Sequence, residues 1–242
     1  MSASSFPGGT SLSHLDIYPD AAPDGVCGGS PHMHLVSTEA YIVVEGHGGL
    51  QAIDGEGFHE TELQPGSVVW FTPGTIHRAV NHGGLRVIVL MSNAGLPEAG
   101  DAVMTFPAEV VADPDAYAAA ADLGDPDGRA ERAPRRRDLA VTGFEVLRRA
   151  VIAGDRVPLD SFYEAAAALV APRAEGWAQL VQERPLAQAE QSLALAEAVA
   201  AGNVAHLRDA RVHPASAAPE LRFGMCGRIR AYDVTHPEED PR

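Results

Sequence analysis

The sequence changes character near residue 110, and this change restricts the folds open to the chain. Before that point, short runs rich in Val, Ile, Thr and aromatic residues alternate with turns that contain Gly or Pro. Strand character is found at 11–18, 39–46, 48–54, 58–63, 67–72, 76–81 and 85–91. The turn signals between these runs are EGHGG, IDGEG, QPG, TPG and NHGG. This spacing predicts an antiparallel sandwich or barrel.

The remainder of the chain is rich in alanine and has helical character. Asp113-Pro114-Asp115 predicts a helix start and Gly124 a stop, and the Pro, Gly and charged residues of 124–137 predict a loop. Helical spacing of apolar residues then predicts helices from Asp138 to Gly154 and over 159–171, 174–183 and 186–201. Residues 225–234 alternate again and predict a strand that needs a partner in the barrel.

The predicted organisation is therefore a barrel over residues 1–110, a helical segment packed on it over 111–215, and a C-terminal strand and tail over 216–242. We also expect part of the helical segment to cover the barrel mouth, which would keep water out, or to shape a pocket there. The candidates for its inner face are the apolar residues Phe144, Leu147, Phe162 and Tyr163. The alternative is that these residues only fill a core between helices.

The composition argues against several classes of function. The 242 residues include 33 acidic and 18 basic side chains, for a formal net charge of −15, and every basic side chain is an arginine. Such a chain repels phosphate backbones, so no nucleic-acid partner is expected. No apolar run approaches the roughly 20 residues that cross a bilayer, and the first residues lack the features of a secretory signal. We therefore expect an acidic cytoplasmic protein with no membrane partner.

The residues that most suggest chemistry are histidines. His32 and His34 flank Met33, so both imidazoles lie on one face of an extended strand. Glu39 follows shortly afterwards, and His77 begins a later predicted strand. Three imidazoles and one carboxylate suit a divalent transition metal and leave coordination positions for water or substrate.

These residues lie in two patterns that resemble the motifs of the cupin superfamily. The first is His32-Met33-His34, four residues, Glu39, six residues and Gly46. The second has Gly66, Gly74, His77 and Asn81 in register. Two positions depart from the motifs: Pro73 is one place late, and Val26 stands where the first motif begins with glycine. The resemblance covers residues 26–91, and neither departure affects a ligand position.

The resemblance implies an α+β protein with a mostly β core. Its core would be an antiparallel double-stranded β-helix, also described as an RmlC-like jelly roll, followed by the helical segment and a C-terminal strand that returns to the barrel. It further implies one divalent transition metal (Fe, Mn, Zn or Ni) held by His32, His34, Glu39 and His77. The alternative is that these four side chains only fill the barrel, as in cupins that have lost their metal.

Strand parity places Tyr41 on the same side as Glu39, where its hydroxyl could donate a proton to a bound ligand. The alternative is an aromatic ring that fills the barrel. Only one of the adjacent Trp70 and Phe71 can point inward, and we expect that one to pack.

Other residues with potential chemistry have plainer interpretations. Cys27 and Cys226 could be a thiol ligand, a redox pair or inert thiols, and inert thiols are expected in a reducing compartment. The remaining histidines of the barrel are interpreted as solvated, and the basic run at 131–137 as a solvated linker. These histidines are His14, His47, His59 and His82.

Cupins include dioxygenases, isomerases, epimerases, decarboxylases and lyases. The resemblance therefore implies a metal-dependent enzyme that acts on a small oxygen-rich organic molecule, of the dioxygenase or the isomerase and lyase type. A non-catalytic barrel that binds or senses a small ligand through its metal is the first alternative. A structural metalloprotein whose helices mediate assembly is the second. Cupin barrels also often pair, so the resemblance makes a homodimer an expectation.

Overall fold

The protein is described by a computed structural model that covers residues 6–234. Its strands are β1 (Ser11–Ile17), β2 (His32–His34), β3 (Glu39–Ile53), β4 (Phe58–Leu63), β5 (Val68–Phe71), β6 (Ile76–Met91), β7 (Ala102–Met104), β8 (Arg222–Phe223) and β9 (Gly227–Ala231). They form one antiparallel sheet of nine strands whose main path is β4-β3-β6-β1-β9-β8. Off this path, β5 pairs with β3, and β2 pairs with both β6 and β7. The predicted mostly β core is confirmed.

Two long bent strands replace four of the predicted short ones. β3 and β6 pair from Glu39 opposite Met91 to Ile53 opposite Ile76, with bulges between Val43 and Gly48. The prediction of turns at EGHGG and NHGG is therefore wrong. Gly46 has a φ of +72°, and a Cβ there would lie 2.2 Å from the carbonyl oxygen of Gly84. Because glycine permits this conformation and this close approach, the strand pair bends here instead of ending.

Asn81 lies at the same bend and holds it in place. Its side-chain amide donates to the Ile17 carbonyl oxygen at 2.9 Å. Its Oδ1 accepts from the backbone N–H groups of Gly83 at 3.0 Å and Leu85 at 3.1 Å. The polar groups of Asn81 are thus engaged by backbone and are not directed at a ligand in the barrel.

The helices are α1 (Ala108–Val111), α2 (Pro114–Ala121), α3 (Arg129–Ile152), α4 (Val157–Ala174), α5 (Trp177–Val181) and α6 (Ala187–Ala200), with a π-helical turn at Gln182–Leu186. Short 3-10 turns lie at Pro7–Gly9, Pro126–Gly128 and Ala205–Asp209. Asp113 caps α2 as predicted, since its side chain accepts from the N–H groups of Asp115 and Ala116.

The prediction of a loop over 124–137 is wrong in its second half, because α3 begins at Arg129 and includes Pro134. The basic run is not solvated as a whole either. Arg137 is buried, and its guanidinium donates to the carbonyl oxygens of Asp20 at 2.8 Å and Ala21 at 3.0 Å. These bonds tie the helix to the segment after β1, which explains why a run of Pro and charge is ordered here.

The helices pack against the outer face of the sheet. Met33, Ile53 and Ile76 project from that face into a buried core that also contains helix residues. The helix residues in this core include Phe144, Leu147, Leu159 and Phe162. Tyr163 packs against the same core and donates its hydroxyl to the Gly74 carbonyl oxygen at 3.0 Å. The expectation that these side chains cover the barrel mouth is therefore wrong, since they pack behind the strands.

The C-terminal strand returns to the barrel, as predicted. β9 pairs with β1 from Ser13 opposite Ala231 to Ile17 opposite Gly227. A second core lies inside the barrel and includes Leu15, Tyr41, Leu50 and Cys226. Within residues 6–234, no helix has both the length and the apolarity needed to cross a bilayer.

Candidate metal centre

The four predicted ligands meet inside the barrel. Strand alternation directs His32 and His34 inward and Met33 outward, and His77 pairs directly opposite His32. Glu39 begins β3 on the same side. All four side chains are buried, and one potential ligand atom from each lies within 4.8 Å of the others. The structure therefore brings together residues that are 45 positions apart, in an arrangement that could hold a metal ion.

Each imidazole is oriented by a hydrogen bond at its Nδ1 atom. His32 Nδ1 lies 2.9 Å from the Ser30 carbonyl oxygen and His77 Nδ1 lies 3.2 Å from the Thr75 carbonyl oxygen. His34 Nδ1 lies 2.8 Å from Asp101 Oδ1. A carbonyl or carboxylate at Nδ1 favours the tautomer that carries its proton there. In a neutral imidazole Nε2 is then left with a free electron pair, which is what a metal ligand requires.

Glu39 supplies the negative charge at the centre of this cluster. Its Oε2 atom lies 3.2 Å from His34 Nε2 and 3.2 Å from His77 Nε2. Both Glu39 Oε2 and His77 Nε2 are buried and make no hydrogen bond among the described residues. Buried polar atoms without partners are rare in folded proteins and call for an explanation. A cation between them would satisfy both, so the residues present fit a divalent metal.

The protonation behaviour of the cluster reflects its burial and charge. Burial, with the nearby charges of His77 and His34, holds the pKa of His32 well below its usual value. Burial opposes the charge of His34 as well, but the hydrogen bond to Asp101 and the negative charge of Glu39 outweigh it and raise the pKa of His34 to about 9. The pKa of Glu39 is lowered, since the neighbouring imidazoles His77 and His34 outweigh the opposing effect of burial. The carboxylate is thus ionised.

Asp101 is a site residue that the sequence analysis missed. Besides its bond to His34, its second oxygen accepts from the Ser37 backbone N–H at 2.9 Å, and the side chain is fully buried. Burial alone would raise the pKa of Asp101, but the contacts with His34 and Ser37 lower it. The residue precedes β7, which pairs with β2, and this pairing brings Asp101 beside His34. A lone aspartate outside both motifs gives no signal of this role in the sequence.

Tyr41 and Cys226 lie together beside the cluster. The hydroxyl of Tyr41 donates to Cys226 Sγ at 3.7 Å, and that sulfur lies 3.8 Å from His32 Nδ1. Burial raises the pKa of the Cys226 thiol to about 12 and holds the pKa of Tyr41 well above its usual value. Both groups are therefore neutral, and neither cysteine is in a disulfide, with Cys27 half-buried.

Of the two adjacent aromatic residues, Phe71 is the one that points inward. Its ring centroid lies 4.0 Å from that of His77 and 5.3 Å from that of Tyr41. Trp70 points outward and is 70% exposed. The four histidines interpreted as solvated lie outside the cluster and are exposed or half-buried. One of them, His59, has its Nε2 3.1 Å from Asp54 Oδ1.

The strand that carries His77 is also anchored from its outer side. The next residue, Arg78, is fully buried and forms a salt bridge with Asp24. Its guanidinium also donates to the carbonyl oxygens of Gly29 at 3.2 Å and Val26 at 3.1 Å. Burial alone would raise the pKa of Asp24, but the hydrogen bond and charge of Arg78 lower it. The pair of buried Arg78 with the more exposed Asp24 fixes the segment before β2 against β6.

The fold and the cluster together define a small antiparallel barrel with a candidate internal metal centre. Residues 21–92 match the family model described as "Cupin domain". This region of the chain is a double-stranded β-helix that belongs to the cupin superfamily. No curated protein is significantly similar to the chain.

Several solved structures are similar to part of the chain. The capsular polysaccharide assembling protein CapF from Staphylococcus aureus is 21% identical, with a TM-score of 0.27, over 33% of this chain and 22% of that one. WlaRA, a TDP-fucose-3,4-ketoisomerase from Campylobacter jejuni, is 12% identical, with a TM-score of 0.32, over 38% of this chain and 64% of that one. The DMSP lyase DddQ from Ruegeria pomeroyi is 23% identical, with a TM-score of 0.27, over 34% of this chain and 38% of that one. In each case the match spans less than two thirds of the other protein.

Proposed function

We propose that the protein is a metal-dependent cupin enzyme that acts on a small oxygen-rich organic molecule. The observation that carries this proposal is the convergence of three imidazoles and one carboxylate in a buried cluster, with every Nδ1 already engaged. His32, His34, Glu39 and His77 would hold one divalent transition metal, of which Fe, Mn, Zn and Ni are all compatible with this donor set. When bound there, such a metal supplies Lewis acidity or, if it is redox-active, activation of oxygen.

The chain's own residues supply charge, a dry environment and a proton. Glu39 offsets part of the charge of a divalent cation, and the rings of Phe71 and Tyr41 exclude water from one side of His77. We assign Tyr41 as the proton donor within this proposal, because burial keeps its hydroxyl protonated. The Tyr41→Phe variant tests this role, since it removes the proton and retains the ring.

A second candidate is a non-catalytic barrel that binds or senses a small molecule through its metal. The observation in its favour is that the four ligand residues are at most 5% exposed. The neighbouring polar groups of Tyr41, Asp101 and Cys226 are also already engaged by protein atoms. The two candidates differ in turnover. NMR spectra of small organic acids and sugars with the metal-loaded protein would show product for an enzyme, and only line broadening for a binding protein.

The metal site is tested by elemental analysis of the wild type, of His77→Ala, and of His59→Ala as a matched surface control. We expect one metal ion per chain in the wild type and in the control, and a strong loss in His77→Ala. Protein grown with supplemented metals that contains none would contradict the assignment. A His77→Ala variant that retains metal at the wild-type level would also contradict it.

We further propose the division into barrel (1–110), packed helical segment (111–215) and C-terminal strand and tail (216–242). The shared core of strand and helix residues and the pairing of β9 with β1 support it. A homodimer and a cytoplasmic location are also part of the proposal. The free thiols of Cys27 and Cys226 are compatible with a reducing compartment.

A further inference from the structure

A cavity lies away from the four residues of the candidate metal centre, where three distant segments of the chain meet. It has a volume of about 300 Å³ and lies between the end of β1, the first part of α3 and the β8–β9 hairpin. Its lining residues are Tyr18, Pro19, Asp20, Ala130, Pro134, Arg137, Phe223 and Arg228. None of these residues belongs to the cupin motifs, and the proposed function does not use the cavity.

Two arginine side chains line this cavity, and a third arginine is their neighbour. Arg137 and Arg228 line it, and Arg136 lies behind it, with Nη2 2.7 Å from the Gly224 carbonyl oxygen. Arg137 is paired with Asp138 at 2.8 Å. Within residues 6–234, neither Arg136 nor Arg228 has a carboxylate within salt-bridge distance.

Three acidic residues near these arginines are either exposed or already paired. Asp20 lies on the wall of the cavity and is exposed, and Asp138 is paired with Arg137. Asp16 lies directly opposite Arg228 in the pairing of β1 with β9, but its carboxylate is 3.2 Å from Arg86 Nε.

The guanidinium of Arg228 is ordered by its contacts, but not all of its N–H groups have hydrogen-bond partners. Its carbon lies 4.0 Å above the Phe223 ring, and Nη2 donates to the Leu221 carbonyl oxygen at 2.7 Å. The Nε atoms of Arg228 and Arg136 are both buried and have no partner among the described residues. Donors that are ordered in advance bind an anion with little loss of side-chain entropy.

The start of α3 also lies at this cavity. This helix has 24 residues, and its N-cap residue Gly128 provides no side-chain acceptor for the first N–H groups. Ala130, in the first turn, lines the cavity. The N-terminus of a long helix carries partial positive charge and favours negative ligands, and Glu131 in the same turn offsets part of that charge here.

We propose that this cavity binds a small organic anion through a carboxylate or phosphate group. Arg228 is the principal contact of that group, and Arg137 and the start of α3 contribute charge. Pro19, Pro134 and Phe223 form an apolar wall against which the rest of the compound packs. Such a site recognises a negative group attached to an apolar body. It is independent of the metal cluster, which none of these side chains contacts.

The test is calorimetric titration of the full-length protein with inorganic phosphate and, separately, with benzoate, both at constant ionic strength. We expect saturable binding at one site per chain for at least one probe. Saturation with phosphate alone identifies a phosphate ligand, and saturation with benzoate alone identifies a carboxylate with an apolar body. In Arg228→Gln we expect affinity to fall about tenfold or more, as for loss of one charge-assisted hydrogen bond.

Arg230→Gln is the matched control, because Arg230 is an exposed arginine two residues further along β9. It should bind the probes as the wild type does. Ala130→Phe fills the cavity without a change of charge and should also abolish binding, which covers the case in which Arg228→Gln folds poorly. Absence of saturation with both probes overturns the proposal. Equal affinity in Arg228→Gln also overturns it, because the anion then binds elsewhere, the metal cluster included.

Discussion

The substitution Asp101→Asn probes how the metal cluster is kept ready for a cation. In the wild type, Asp101 accepts two hydrogen bonds, one from the His34 ring and one from the Ser37 backbone N–H. Asparagine has the same shape but only one oxygen, and its other group is a donor. If the oxygen faces Ser37, the amide donates to His34 Nδ1. The proton of His34 is then driven to Nε2, the atom that faces Glu39 and that a metal would use.

The size of the effect follows from two independent considerations. Loss of a partner that orients a metal-bound histidine typically lowers metal affinity by about 10- to 100-fold. This range corresponds to about 1.4–2.7 kcal/mol. A hydrogen bond that involves a charged group contributes about 1.5–3 kcal/mol. Asp101 is fully buried and its bond to His34 is 2.8 Å long. We therefore expect the loss of metal affinity to lie in the upper half of the 10- to 100-fold range.

The measurement is the dissociation constant for zinc, obtained by competition with a chromogenic chelator on protein first stripped of metal. Asp54→Asn is the matched control, because Asp54 also contacts a histidine, His59, at 3.1 Å, but does so on the surface. The control should bind zinc as the wild type does. If Asp101→Asn also binds with unchanged affinity and remains folded by circular dichroism, the carboxylate does not set the tautomer of His34, and the reasoning fails.

Three further predictions concern stability. Gly143→Ala should destabilise the protein by about 1–3 kcal/mol in chemical denaturation, although alanine favours helices. The reason is that its Cβ would lie 2.2 Å from the Thr105 carbonyl oxygen. Gly176→Ala is the control and should not destabilise the protein, because there is open space around Gly176. Asp24→Asn should destabilise the protein by about 1.5–3 kcal/mol at pH 7, because the fully buried guanidinium of Arg78 loses its carboxylate partner. The pKa of Asp24 is lowered in the folded state, so its contribution is complete above the usual value near 3.8 and is lost as the pH falls through the lowered one. Urea denaturation should therefore show the wild-type advantage over Asp24→Asn intact at pH 7 and shrinking as the pH falls below that usual value. Residues 1–110 expressed alone should be insoluble or melt without cooperativity, and a stable, metal-loaded fragment would contradict the proposed packing of the helices.

The candidate ligands were predictable because their chemistry is local in sequence. Two histidines separated by one residue must share a face of any strand, and the spacing to Glu39 and to Gly46 repeats a known pattern. Asp101 was not predictable, since it is 67 positions from His34 and reaches it only through the pairing of β7 with β2. A contact that depends on tertiary pairing has no short-range signature.

The errors in the predicted elements have a common cause. Glycine and proline were interpreted as the ends of elements, but tertiary contacts allow both within them. The glycines at 46 and 84 let β3 and β6 bend at a close approach. Pro134 lies within α3, where Arg136 and Arg137 anchor the helix to distant carbonyl groups. These partners come from the segment after β1 and from the β8–β9 hairpin, so the local sequence could not reveal them.

The placement of the helices changes how they relate to the metal centre. β2 has only three residues, and two of them are proposed ligands. The position of this strand therefore depends on the strands that pair with it and on the core behind it. Between those ligands, Met33 projects into the core formed with α3 and α4. On β6, His77 lies between Ile76, which enters the same core, and Arg78, which is fixed by Asp24. Each of the three histidines thus has an outward neighbour that is held by the helix-side core or by a salt bridge. The helices thus pack against the outer face of the strands whose inner face carries the proposed ligands, and so support the cluster. A route for a substrate must be sought on the side that the helices leave uncovered.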